Sequence, residues 1–185
     1  MKKILILFSG EGLNAENIVK ILHTKKCFVV CGITNNKDAN GIKRLENLGI
    51  KTEILDHKQF ATREEYDGAL VALIKSYKPD LVVLSGFMRI LTKQFTSNIK
   101  AINLHPSLLP KYKGAKAIEA SFDSYDVECG VSVHWVNDEL DGGEIILQKS
   151  FLRDQDDTQE SFTKKIKKLE YEIMPEAIEK VLNLS

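Results

Sequence analysis

Short runs of apolar residues alternate with helical patterns through the first half of the chain. The runs span residues 4–8, 28–34, 52–55, 81–85 and 101–104. Successive side chains of a strand point to opposite faces of a sheet, so a strand that is apolar at consecutive positions needs cover on both faces. The pattern therefore predicts an α/β fold with an open, mostly parallel sheet and helices on both faces of it.

Helices are predicted between these runs, at residues 14–23, 40–48 and 62–77. The third is the clearest, because Thr62 can cap its first turn and Glu65 follows three residues later. A helix at 158–182 closes the chain, and Pro175 is expected to kink or end the first part of it. Two later runs, at residues 129–136 and 144–151, predict antiparallel strands added late to the sheet.

The composition is that of an ordinary globular protein. The chain has 185 residues, of which 43% are hydrophobic and 28% are charged, and this suits one domain over residues 1–185. Lys and Arg together number 26, as do Asp and Glu, so the basic surface typical of nucleic-acid-binding proteins is not expected. Three cysteines form no disulfide framework, and no apolar run is long enough to span a bilayer. We expect a cytoplasmic protein without nucleic-acid or membrane partners, either a monomer or a homodimer.

Unusual segments follow three of the predicted strands, at the edge of the sheet where ligands of such folds bind. The first is SGEGLN, in which Gly10 and Gly12 allow a tight turn before a helix whose free N–H groups suit an anion. Ala15 stands where the third glycine of a dinucleotide motif would be. A small phosphorylated compound is therefore favoured over a dinucleotide, although a plain glycine turn explains this segment alone equally well.

Asn103 and His105 lie at the end of the fifth predicted strand, within NLHPSLLP. Because they are two residues apart on a strand, their side chains can point to the same side. An amide donor beside an imidazole suits a carbonyl oxygen that becomes negatively charged, since both groups can stabilise a tetrahedral intermediate. The alternative is a polar cap on the end of a strand.

The segment NDELDGG, at residues 137–143, places three acidic residues in a short loop before two glycines. A solvated hairpin turn is the simpler alternative, but it explains neither the two glycines after Asp141 nor the apolar Leu140. A carboxylate near His105 would favour the charged imidazolium and orient its ring. His134, on an alternating strand, is predicted as a buried supporting histidine. Neither calcium-loop nor zinc-ligand spacing occurs, so no metal is expected.

Taken together, these segments resemble those of the phosphoribosylglycinamide formyltransferases, and the likeness covers almost the whole chain in the same order. It also includes the stretches ITNNKDANG, TREEYD, PDLVVLSGFMRIL and GVSVHWVNDELDGGEIILQ. The resemblance implies the Rossmann-like fold of formyltransferases. It further implies transfer of a formyl group from the co-substrate 10-formyltetrahydrofolate to the amine of glycinamide ribonucleotide, without a metal, in purine synthesis.

The resemblance assigns a role to each matching residue. His105 would be the general acid and would stabilise the oxyanion, Asn103 would donate to the same oxygen, and Asp141 would support His105 and relay protons through water. The residues implied in ribonucleotide binding are Gly10, Gly12, Leu13, Asn14, Lys167 and Glu170, the last on the ribose hydroxyls. The residues implied in folate binding are Arg63, Met88, Arg89, Ile90, Leu91, Asn103, Asn137, Asp138, Glu139, Leu140 and Asp141. The N-terminal half would thus bind mainly the phosphate and ribonucleotide, and the C-terminal half would bind folate and carry the catalytic residues.

Two residues depart from the family pattern. Leu13 stands where serine is often found, which removes a hydroxyl contact to phosphate but keeps the backbone N–H. Lys167 stands where some members have glutamine, and its ammonium group could add an ionic contact to a phosphate.

Three alternatives stay open at this point. A methionyl-tRNA formyltransferase would need a further C-terminal domain and a basic surface, neither of which we expect here. A formyltetrahydrofolate hydrolase usually has an extra N-terminal domain, although the GAK at residues 114–116 is similar to that enzyme. A non-catalytic nucleotide- or folate-binding module would bind ligand without turnover.

Overall fold

The computed structural model describes residues 1–185. In this structure, the predicted apolar runs form the strands of a buried sheet. Its parallel strands are Lys3–Phe8 (β1), Phe28–Thr34 (β2), Thr52–Ile54 (β3), Leu81–Leu84 (β4) and Ala101–His105 (β5). Two antiparallel strands complete it, Glu128–Trp135 (β6) and Ile145–Leu152 (β7), giving the spatial order β3-β2-β1-β4-β5-β6-β7. The predicted mostly parallel sheet with antiparallel strands added late is confirmed.

Helices cover both faces of this sheet. They are Leu13–Leu22 (α1), Gly41–Asn47 (α2), Arg63–Tyr77 (α3), Lys93–Thr96 (α4), Ala117–Asp123 (α5) and Gln159–Leu182 (α6). Side chains of alternate positions on β1 pack into two separate cores, one with α1, α2 and α6 and the other with α3 and α4. The sequence did not predict α4, α5 or a 3₁₀ turn at His57–Gln59, because elements this short cannot repeat an apolar period. No helix has both the length and the apolar composition needed to cross a membrane.

The closing helix α6 continues through Pro175, so the expectation that this proline could end its first part is wrong. Proline has no N–H group, and the carbonyl of Tyr171 therefore loses its partner within the helix. Asn17 on α1 donates its side-chain amide to that carbonyl at 2.9 Å. This hydrogen bond gives the free carbonyl a partner and joins α6 to α1 at Tyr171.

The strand order reverses between β1 and β4. Because β2 and β3 lie on one side of β1 while β4 and β5 lie on the other, the loops that follow β1 and β4 leave the sheet side by side. The N–H of Ser9 donates to the carbonyl of Gly86 at 3.0 Å, which joins the two loops directly. Open parallel sheets bind ligands in the crevice at such a reversal.

Candidate active site

Asn103 and His105 lie on the same side of β5, as the two-residue spacing predicts. The residue between them, Leu104, packs with Ile102 toward the core that contains α1 and α6, so the polar pair faces the opposite side of the sheet. In the antiparallel pairing with β6, Asn103 lies opposite His134. The structure therefore gathers one amide and two imidazoles on one surface at the end of the parallel strands.

His105 is 5% exposed and contacts a hydrogen-bond acceptor at each ring nitrogen. Its Nε2 donates to the backbone carbonyl of Tyr112 at 2.7 Å, since a carbonyl oxygen can only accept. Its Nδ1 lies 3.4 Å from the Asp141 carboxylate. Acceptors at both nitrogens are complementary to the doubly protonated imidazolium, which is the form that can act as an acid.

Asp141 is also buried, and each of its oxygens has a partner. One accepts the backbone N–H of Gly114 at 2.7 Å, and the other lies 3.6 Å from Nε2 of His134. Burial acts to raise the pKa of the Asp141 carboxyl. The contact with His134, the N–H of Gly114 and the charge of His105 outweigh this effect, so the pKa lies below its usual range. The carboxylate therefore stays ionised at neutral pH.

His134 links the remaining groups. Its Nδ1 donates to the carbonyl of Trp135 at 2.9 Å, and its Nε2 lies 3.5 Å from the side-chain amide of Asn103. The ring is 2% exposed, in agreement with the prediction of a buried histidine. It contacts both Asn103 and Asp141, and in this way it can support the pair without facing the crevice.

The loop at residues 137–143 needs its glycines for close packing. A Cβ on Gly143 would lie 1.6 Å from the carbonyl oxygen of Trp135, so no larger residue fits there. Asp141 itself has a left-handed backbone with a φ of 52°. Asp138 accepts a hydrogen bond from Thr96 of α4. The two glycines are thus part of what lets the loop fold back over β5 and β6, which a solvated hairpin would not require.

The glycine turn after β1 is also set by close contact. Gly12 has a φ of 72°, and a Cβ there would lie 2.5 Å from the Cα of Gly41 at the start of α2. Gly10 accepts the N–H of Gly41 at 3.0 Å and is exposed. Leu13 begins α1 and is 45% exposed, so its backbone N–H is presented at the helix start while its side chain faces solvent.

Side chains from α1 and α6 converge beside this turn. The Asn14 amide and the Lys167 ammonium both donate to one oxygen of Glu170, each at 3.1 Å. Glu170 is 4% exposed, and the amide oxygen of Asn14 is buried without a partner. The structure thus brings together three residues that the resemblance assigned to the ribonucleotide, although two of them are far from the third in sequence.

Met88, Arg89, Ile90 and Leu91 follow β4 and lie next to the glycine turn. Met88 is 79% exposed and Ile90 is 53% exposed, while Leu91 is partly buried against the core of α3 and α4. The guanidinium of Arg89 stacks 4.8 Å above the ring of Tyr66. This segment therefore presents apolar side chains to solvent beside the crevice.

The other residues assigned to folate are less closely grouped. A shallow, open depression of about 400 Å³ lies between α4 and the 137–143 loop, and its lining contains Thr96, Ser97, Val136, Asn137, Asp138 and Glu139. Its walls are mainly polar rather than apolar. Leu140 is 56% exposed. Arg63, the first residue of α3, is exposed and makes no hydrogen bond or ion pair, so the structure does not join it to the rest of this group.

Two backbone groups of the site were not predicted from the sequence. They are the carbonyl of Tyr112 and the N–H of Gly114, which contact His105 and Asp141. Backbone groups have no signature in residue type, and Tyr112 is held at a φ of 56° that its sequence does not suggest. The one signal in the sequence was the glycine at position 114, because the φ of 82° that this residue adopts is a conformation that favours glycine. No group of three or more His, Cys, Asp or Glu side chains has an arrangement that could hold a metal.

Comparison with known proteins agrees with the resemblance seen in the sequence. The family model described as formyl transferase matches residues 2–178. The phosphoribosylglycinamide formyltransferase of Escherichia coli is 40% identical, covering 93% of this chain and 83% of the relative. The protein of the same name from Haemophilus influenzae is 37% identical, covering 95% and 84%. The structure of phosphoribosylglycinamide formyltransferase from Campylobacter jejuni is 50% identical, with a TM-score of 0.95 and coverage of 98% of this chain and 97% of the other. The chain therefore belongs to the formyl transferase family.

Proposed function

We propose that the protein is a phosphoribosylglycinamide formyltransferase, which moves a formyl group from 10-formyltetrahydrofolate to the amine of glycinamide ribonucleotide. The observation that carries this proposal is the arrangement of Asn103 and His105 beside the buried, ionised Asp141. Asn103 and His105 lie at the end of β5, next to β4, whose following loop meets the loop after β1, so we propose that the two substrates approach them from different sides. Relatives that bear this name, at identities of 37% and 40%, support the same reaction.

The chemistry needs an oxyanion to be stabilised. When the amine attacks the formyl carbon, the carbon–oxygen double bond opens and the oxygen becomes negative. The N–H groups of Asn103 and the imidazolium of His105 are on one side of β5, where both can donate to that oxygen. His134 then holds the amide of Asn103 in place from the neighbouring strand.

The transfer also needs a proton to move, because the attacking amine loses one and the departing folate nitrogen gains one. His105 can supply it as the general acid, provided that its ring exchanges the contact with the Tyr112 carbonyl for one with substrate. The ionised carboxylate of Asp141, next to Nδ1 of His105, orients the imidazole ring and can pass a proton through water.

The ribonucleotide carries one phosphate, which suits the short turn at Gly10 and Gly12. The free N–H groups at the start of α1 would bind the phosphate, with Leu13 contributing only its backbone. Lys167 would add an ionic contact, and Glu170 and Asn14 would bind the ribose hydroxyls. The burial of Glu170 and the unpartnered oxygen of Asn14 support this assignment.

Formylfolate would lie between the apolar residues after β4 and the 137–141 loop, with Arg63 near its acidic tail. The reacting carbon would then face Asn103 from the side opposite to the ribonucleotide. Both half-sites belong to one domain of residues 1–185 in this proposal, with small molecules as the partners. The protein would work in the cytoplasm as a monomer or a homodimer.

Substitution of His105 by alanine tests the proposal. We expect formyl transfer to fall by about 10²–10⁴-fold, the usual contribution of general acid–base catalysis. Both substrates should still bind, since neither proposed half-site loses its contacts. The change His23→Ala removes a histidine just after the end of α1, away from the candidate site, and serves as the control. Near-normal turnover in the His105→Ala variant would rule out the role given to this residue.

A second assay separates transfer from hydrolysis of formylfolate. We expect tetrahydrofolate to form only when glycinamide ribonucleotide is present, and in equal amount with the formylated product. Formyl loss at the same rate without the ribonucleotide would show a hydrolase instead. Binding of both ligands without any product would show a non-catalytic module.

A further inference from the structure

Asp67 is a carboxylate that the proposed mechanism does not use. It lies on α3 and is completely buried, with 0% of its surface exposed. One of its oxygens accepts two hydrogen bonds from Thr92, from the backbone N–H at 2.7 Å and from the hydroxyl at 2.8 Å. The other oxygen is buried without a partner, and no Lys, Arg or His side chain pairs with the group. A polar group that is buried with few partners is costly, so the two hydrogen bonds from Thr92 are what fixes the Asp67 side chain in this environment.

Thr92 follows directly after residues 88–91, which we name the 88–91 segment. At the start of this segment, the N–H of Met88 donates to the hydroxyl of Ser9 at 2.8 Å. Between these two ends, the backbone groups of residues 89–91 make no hydrogen bond within the protein. The backbone of the segment is therefore hydrogen-bonded only at its two ends, to the buried side chains of Ser9 and Asp67, while the side chains of Arg89 and Leu91 pack against α3 and its core.

We propose that Asp67 is a positioning residue that holds the 88–91 segment in the conformation that binds formylfolate. This inference rests on the proposed function, since it assigns the segment to the folate half-site. Without the Asp67 acceptor, the N–H and the hydroxyl of Thr92 lose their partner, and the segment before Thr92 gains conformational freedom that ligand binding then has to remove. The substrate to which Asp67 contributes is therefore formylfolate and not the ribonucleotide.

The pair of variants Asp67→Leu and Asp67→Asn tests this role. Leucine removes the acceptor but suits a buried position, whereas the amide oxygen of asparagine can take both hydrogen bonds from Thr92. For Asp67→Leu we expect the KM for 10-formyltetrahydrofolate to rise about tenfold, as loss of hydrogen bonds to a charged group implies, with the KM for glycinamide ribonucleotide unchanged. For Asp67→Asn we expect the KM values for both substrates to match those of the parent protein. Equal changes in both KM values, or no change in the leucine variant, would overturn the inference.

Hydrogen–deuterium exchange gives a readout that is independent of the reaction. In the Asp67→Leu variant, peptides that contain residues 88–92 should exchange faster, while peptides from the middle of α3 should keep the parent rate. Unchanged exchange at residues 88–92 would contradict the role of Asp67 whatever the kinetics show.

A second pair keeps the test decisive if the leucine variant does not fold. Thr92→Val removes the hydroxyl donor but keeps the backbone N–H, and Thr92→Ser keeps both. The valine variant should raise the KM for formylfolate about threefold, consistent with loss of one of two hydrogen bonds, and the serine variant should not. Identical KM values for formylfolate in the two variants would count against the inference.

The two proposals fail in different ways. If the parent protein forms no formylated product, the proposed function fails. If the parent is active and both pairs of variants have its KM values, only the role of Asp67 fails.

Discussion

At the scale of the residue, two buried acids, Asp141 and Asp67, have partners other than Lys or Arg. Asp141 faces His105, His134 and the N–H of Gly114, and Asp67 faces only Thr92. Such partners fix the direction of a carboxylate as well as its charge, because each donor approaches one oxygen along a defined line. The acids therefore position the neighbouring groups in addition to carrying charge.

The depressed pKa of Asp141 predicts a specific pH dependence of stability. Its folded-state pKa lies below the unfolded value of about 3.9, so the ionised group stabilises the native state above that pH. This stabilisation is lost as the pH falls through the folded-state pKa. The parent should exceed Asp141→Asn in free energy of unfolding near neutral pH, and the difference should narrow below about pH 4.

Urea unfolding of the parent and the Asp141→Asn variant across a pH series measures this difference. The variant Asp138→Asn, in the exposed part of the same loop, is the matched control and should show little change. A difference between the parent and Asp141→Asn that is constant at every pH would contradict the assigned direction of the pKa.

At the residue scale, sequence reasoning reached the polar pair but not its surroundings. The two-residue spacing was enough to place Asn103 and His105 on one side of a strand. The contact of His105 with Asp141 crosses a loop, and its geometry depends on the left-handed backbone of Asp141 and on the tight packing of Gly143. Neither feature follows from local residue preferences.

At the scale of the element, the position of α6 relative to α1 decides whether Glu170 reaches Asn14. The two helices meet through the hydrogen bond from Asn17 to the carbonyl of Tyr171, which is free because Pro175 has no N–H. Asn14 and Asn17 lie three residues apart, on the same side of α1. The proline that the sequence marked as a possible helix end thus contributes an acceptor that helps to align the two helices.

A double-mutant cycle tests this connection. Asn17→Ala leaves a carbonyl without a partner and should lower the free energy of unfolding by about 1–2 kcal/mol. In a Pro175→Ala background, the new N–H at residue 175 can bond to the Tyr171 carbonyl, so the same substitution should cost much less. Denaturant unfolding of the four proteins gives the coupling directly. Additive effects of the two changes would show that the hydrogen bond does not compensate for the proline.

At the scale of the whole molecule, the two proposed half-sites lie near the reversal of strand order between β1 and β4. The half-site proposed at the glycine turn uses α1 and α6, and the half-site proposed for formylfolate uses the loop after β4 and the 137–143 loop. Since the two groups of residues differ, each ligand should stabilise the fold by its own binding free energy. A ligand at roughly a hundred times its Kd adds about 2.7 kcal/mol.

Thermal unfolding with each substrate separately tests this division. Glu170→Gln should reduce the increase in Tm caused by glycinamide ribonucleotide and should leave the increase caused by 10-formyltetrahydrofolate intact. Glu172→Gln, an exposed acid on the same helix, is the control and should respond to both ligands like the parent. Equal loss of both responses in Glu170→Gln would contradict separate half-sites.

The local sequence pattern was sufficient to predict the strands and main helices in their order along the chain, and the parallel sheet that they form. It also predicted the turn at Gly10 and Gly12 and the shared side of Asn103 and His105. Each of these features depends on periodicity or on neighbouring residues. Three features required the tertiary structure: the meeting of Asp141 with His105, the convergence of Asn14 and Glu170 from opposite ends of the chain, and the contact of Asp67 with Thr92. These contacts join groups that are distant in sequence, and one of the groups is a backbone N–H, that of Thr92. Their geometry is set by how the helices and loops pack on the sheet, which no local preference encodes.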